Sequence, residues 1–133
     1  MLAKHVRAFS MLGLSLALTG CIHYEHQSAE GKPADQVAVI QQFDKHLTIT
    51  RIDNNGTLFW LGRQNEYRLG AGTHTLQATW SIGDGRTAPL ATTVSLVGGR
   101  TYGLYGEASK GRWSYDIRDV ETGQSATVKA PSN

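Results

Sequence analysis

From residue 37 onward, short runs of β-branched and aromatic residues alternate with turn chemistry, and this rhythm leaves the chain few folds to choose from. The runs occupy residues 37–42, 47–52, 57–61, 66–69, 73–81, 90–96, 101–108 and 112–120, with a last short one at 125–129. Between them stand Asp53-Asn54-Asn55-Gly56, Gly83-Asp84-Gly85, Gly98-Gly99, Ser109-Lys110-Gly111 and Thr122-Gly123. Asn and Gly accept the positive φ that tight hairpin turns require, so the first of these is the strongest hairpin signal. No helical period and no repeat of fixed length interrupts the pattern. It predicts an all-β domain over residues 36–133, an antiparallel β-sandwich of about seven to nine short strands in preference to a closed barrel. A domain of that length can bury a core without disulfide staples.

Alternation assigns the faces. Over residues 73–80, His74, Leu76, Ala78 and Trp80 share one side and Thr73, Thr75, Gln77 and Thr79 the other, which places the first set in the core. His74 is therefore expected to be a structural histidine whose ring bonds to backbone near the preceding loop. Tyr102 with Leu104, and Trp113 with Tyr115 and Ile117, mark core faces of later strands, while Arg112, Ser114, Asp116 and Arg118 face solvent.

The amino-terminal residues obey a different grammar. Lys4 and Arg7 precede an apolar run from Ala8 to Leu18 broken only by Ser10, Gly13 and Ser15, which is the order of a signal peptide. A spanning helix needs about 20 apolar residues, and this run is roughly half that. The sequence Leu18-Thr19-Gly20-Cys21 resembles the lipobox of bacterial lipoproteins. That resemblance implies cleavage after Gly20, with residues 1–20 removed, and diacylglycerol on the Cys21 thiol. It also implies a protein of the bacterial envelope, in the outer membrane of a Gram-negative host because Ile22 and not Asp follows the Cys. Cys21 is the single cysteine, so no internal disulfide is possible. Two or three acyl chains hold a protein durably at about 0.8 kcal/mol per buried methylene.

Loss of residues 1–20 takes away Lys4 and Arg7, so 13 basic residues become 11 against 11 acidic ones. The mature chain is about neutral, with no basic stripe to suggest nucleic acid as a partner. Residues 21–35 are polar and small and predict a flexible lipid-anchored linker, long enough to hold the domain some ~20 Å from the bilayer. Within it, His23-Tyr24-Glu25-His26 offers two imidazoles and a carboxylate, but a closed metal site needs four oriented ligands, so neither metal nor cofactor is expected.

A second resemblance is carried by Leu69-Gly70-Ala71-Gly72-Thr73-His74-Thr75-Leu76, by Leu96-Val97-Gly98-Gly99-Arg100-Thr101-Tyr102 and by Ile52-Asp53-Asn54-Asn55-Gly56. These segments are similar to those of PEGA-like β-sandwich domains and of small bacterial lipoproteins related to them. The resemblance implies extracytoplasmic binding or assembly and supplies no catalytic residues. The available acids and nucleophiles, Glu107, Ser109-Lys110, Asp116 and Asp119, sit in no recognisable hydrolase or glycosidase motif, so an enzyme is not expected.

Function then turns on surfaces. Leu58-Phe59-Trp60-Leu61 places four apolar residues in a row, and a half-buried strand hides only alternate positions. Either a loop or a central strand position covers the second pair, or Phe59 or Trp60 anchors a partner, with Tyr105 extending the patch if its strand lies in the same sheet. A protein partner in the envelope is the leading expectation. Carbohydrate or peptidoglycan is the alternative, and a metal or stress-response lipoprotein using His23, His26 and His46 is a third. Rings lining a polar groove would favour glycan, and a flat apolar patch protein.

Overall fold

A computed structural model describes residues 23–61 and 64–133; Cys21 and residues 1–20, expected to form a signal peptide, lie outside the described residues. Among the described residues the fold is all-β, with eleven strands in chain order: β1 His23–Glu25, β2 Val37–Gln42, β3 Leu47–Ile52, β4 Asn55–Gly56, β5 Glu66–Gly70, β6 Gly72–Ile82, β7 Gly85–Arg86, β8 Leu90–Leu96, β9 Thr101–Ser109, β10 Arg112–Asp119 and β11 Thr127–Ser132. One sheet has the order β1-β5-β2-β9-β10, and the other the order β11-β8-β6-β3-β4 with β7 paired to β6. The pairing is antiparallel except for β1 with β5 and β2 with β9. The sheets enclose one core, built around Ile40, Leu47, Ile49, Ile52, Tyr67 and Leu69 with residues of β6 and β8–β10. The bridge between Arg118 and Ser125 links β10 of one sheet to the approach to β11 of the other.

Register explains which side chains enter the core. His74, Leu76 and Ala78 point inward from β6 as the alternation requires. In β3, Leu47, Ile49 and Ile52 are all buried, although Ile49 and Ile52 are an odd number of residues apart. Ile49 pairs with Ala78 and Arg51 with Gln77, so Thr50 is an extra residue, and this bulge restores the inward aim of Ile52. The turn to β4 places Asp53 at φ 49° and Asn54 at φ 69°, the paired positive dihedrals of a tight hairpin.

Two expectations are corrected here. Residues 57–61 form no strand; Phe59–Leu61 is a single 3-10 turn. Nor is the segment after His23 a free linker. β1 pairs with β5 with His23 opposite Glu66, the His26 amide donates to the Arg68 carbonyl at 2.9 Å, and the Ser28 hydroxyl accepts the Gly70 amide at 2.8 Å. Tyr24 packs on Tyr67 with ring centroids 6.5 Å apart, and His26 and Ala29 are buried. A three-residue strand with one packed side chain leaves no periodic trace in sequence, which is why composition alone reads this stretch as linker.

Candidate functional site

The turn at residues 58–61 is set by its neighbour Thr57. That side chain is fully buried, its hydroxyl donates to the Ile49 carbonyl at 2.6 Å, and its amide donates to the Thr50 carbonyl at 3.0 Å, which clamps the chain against β3. Leu58 then takes φ 59°, which for a non-glycine residue is uncommon and turns the chain away from the sheet. Leu58, Trp60 and Leu61 consequently stand 46%, 64% and 74% exposed, and the strand alternation expected for them does not apply.

Phe59 is half-buried, with the Trp60 ring edge-on at 5.4 Å and the Arg86 guanidinium over its face at 4.8 Å. The two rings rim a groove of about 420 Å³ lined also by Gln42, Lys45, Thr48 and Gln64. The Gln64 amide nitrogen donates to the Thr57 carbonyl at 2.7 Å, while its carbonyl oxygen is buried with no hydrogen-bond partner among the described residues.

Tyr105 does not extend this patch. It lies on β9, in the other sheet, with its ring 5.4 Å from Phe43 and the Arg118 guanidinium 5.3 Å from its centre. It lines a separate cleft of about 690 Å³ with Glu107, Ser114, Asp116 and Thr127. Asp116 fastens the chain leading into β11: its carboxylate accepts the Ser125 hydroxyl at 2.6 Å, the Thr127 hydroxyl at 2.9 Å and Arg118 Nε at 2.9 Å. Burial opposes its ionised form, yet these donors together hold its carboxyl below the usual range. Asp119 closes the turn that follows β10, accepting Arg100 at 2.7 Å and the Glu121 amide at 2.8 Å, and the Arg100 hydrogen bond keeps its carboxyl low.

A third cluster brings together residues whose meeting the sequence does not show. His26, Asp53 and His74 come from the end of β1, the β3–β4 turn and β6, with ligand-capable atoms within 4.8 Å of one another. Two imidazoles and a carboxylate are a donor set that suits a transition metal, and these are the described residues that could hold one. Each already has an internal partner. His74 Nε2 faces the Gly70 carbonyl at 2.7 Å, the backbone bond expected of a structural histidine, and Nδ1 faces Asp53 at 2.5 Å. The second Asp53 oxygen accepts the Thr75 amide at 2.9 Å. His26 Nδ1 meets the Ser28 hydroxyl at 2.7 Å, and Nε2 meets the Asn55 amide group at 3.1 Å. The cluster works as a buckle that ties the chain leaving edge strand β1 to the β3–β4 turn and β6 of the other sheet.

Burial lowers the pKa of His26, against smaller opposing effects that include Asp53. The unfolded chain then takes up this proton first, so folding stability is expected to fall as pH drops below about 6.5 and to level once the folded ring is also protonated. Thermal melts between pH 7.5 and 5 on the order of half a pH unit apart, compared with His26→Gln, check this. The wild-type decline should be steeper than that of the variant.

No protein-family model, curated protein or solved structure matches the chain, so the chemistry of these surfaces is the guide to what it does.

Proposed function

We propose that the chain is a lipid-anchored module of the bacterial envelope, held through acylated Cys21 on the periplasmic side of the outer membrane, that acts by binding and not by catalysis. Its contact surface is the turn at residues 58–61. The carrying observation is that Leu58, Trp60 and Leu61 are presented to solvent on a turn whose root, Thr57, is clamped to β3 by two hydrogen bonds. A clamped turn displays large apolar groups with little ordering cost on contact, which suits an anchor. A glycan is the second reading, favoured by the polar groove that Phe59 and Trp60 rim.

A photo-cross-linking residue placed at Leu61 in living cells tests this, with the same residue at Val128 as control. Val128 is also an exposed apolar position, but it lies on β11. Adducts to an envelope component are expected at position 61 and not at 128. Equal yields at the two positions, or none at 61, would contradict the assignment.

A further inference from the structure

The folded start of the chain fixes which end of the sandwich the anchor pulls on. His23 begins β1 opposite Glu66, and Cys21 lies only two residues earlier in sequence. Two residues reach at most about 7 Å, not the spacing a flexible linker would give. The same end carries the β2–β3 connection, where the Gln42 amide meets the Asn65 carbonyl at 3.0 Å, together with the β6–β7 hairpin. It also carries the β9–β10 hairpin, whose Ser109 and Arg112 share a recess with Ile82, and the turn at 58–61, whose Phe59 meets Arg86 of β7.

Of the eight exposed large apolar side chains among the described residues, Phe43, Leu58, Trp60, Leu61 and Ile82 are at this end. Val97 and Val120 sit at the opposite one and Val128 on edge strand β11. Scattered exposed valines are ordinary; leucine, phenylalanine, isoleucine and tryptophan gathered on three neighbouring loops are not.

We infer that this end rests in the interface of the bilayer that holds acylated Cys21, with Trp60 and Leu61 inserted at headgroup depth. The inference rests on the lipid-anchored reading and names the occupant of the contact surface. Tryptophan favours the membrane–water boundary, and exposed aliphatic groups beside it gain by leaving water. The short tether makes the contact intramolecular, so even weak insertion is populated. Charge does not drive it: Lys45, Arg86, Lys110 and Arg112 alternate here with Asp44, Glu66, Asp84 and Glu107. Insertion is therefore insensitive to salt, unlike the binding of a polybasic patch.

The test uses the full acylated protein in phosphatidylethanolamine–phosphatidylglycerol vesicles whose acyl chains are brominated near the headgroup. Trp60 emission is taken as the difference between wild type and Trp60→Phe, which keeps an apolar ring and leaves Trp80 and Trp113 as the baseline. Bromine is expected to quench the Trp60 component at least two-fold, at low and at high salt. Equal quenching of wild type and Trp60→Phe overturns the inference, as does quenching abolished by salt. Shielding of Trp60 that appears only with native envelope proteins overturns it in favour of a protein partner. Flotation of the same vesicles separates the two readings: protein that floats through Cys21 with Trp60 unquenched keeps the anchor and loses the insertion, whereas Cys21→Ser protein that floats equally well loses the anchor.

Discussion

A chain beginning at Lys32 is expected to melt well below one beginning at His23, by about 10–20 °C for a loss of roughly 3–5 kcal/mol in a domain of this size. The deletion removes edge strand β1 and strips Tyr24 from Tyr67. It also takes away the buried His26 and Ala29, leaving the Asp53–His74 pair without its neighbour and the Gly70 amide without the Ser28 hydroxyl. The effect is large because these losses coincide: apolar surface is uncovered while buried polar groups lose partners. A flexible linker would leave the melting temperature unchanged. Differential scanning fluorimetry of the two fragments decides between a tether and an integral strand.

The second large effect is expected at Tyr115. Its ring stacks on Trp113 at 5.8 Å from the inner face of β10, and its hydroxyl donates to the Leu90 carbonyl of β8 at 2.7 Å, from one sheet to the other. Burial pushes the phenol's pKa well up, so the group remains a neutral donor. Tyr115→Ala should cost about 3–5 kcal/mol, as for other buried aromatics, and Tyr115→Phe about 1 kcal/mol for the lost hydrogen bond. Urea denaturation of both variants checks the ratio, which separates packing from the inter-sheet bond. Near-equal losses would mean that the hydroxyl and not the ring carries the contact.

Much of the sandwich was legible because its longer strands combine alternation with turn residues that need positive φ. β2, β3 and β8 begin and end where the runs do, and the paired positive dihedrals of Asp53 and Asn54 fall in the hairpin that Asp53-Asn54-Asn55-Gly56 announces. β1, β4 and β7 were not legible, since two or three residues cannot display a period. The segment at residues 57–61 has the composition of a strand, but Thr57's bonds to β3 and the positive φ of Leu58 are tertiary facts that override it. The candidate site divides the same way. Sequence singles out Phe59 and Trp60 as an apolar excess, whereas their groove, the separation of Tyr105 into the other sheet and the meeting of His26, Asp53 and His74 depend on which strands become neighbours. Residue types name possible chemistry, and only the register brings it together.

The lipid anchor is the premise from which the membrane-facing end follows, and the intact mass of the protein purified from bacterial membranes tests it most directly. The expected species begins at Cys21, lacks residues 1–20 and carries the added mass of a thioether-linked diacylglycerol, with or without an amide-linked acyl chain. A mass that retains residues 1–20, or that of a processed chain with a free Cys21 thiol, would contradict it.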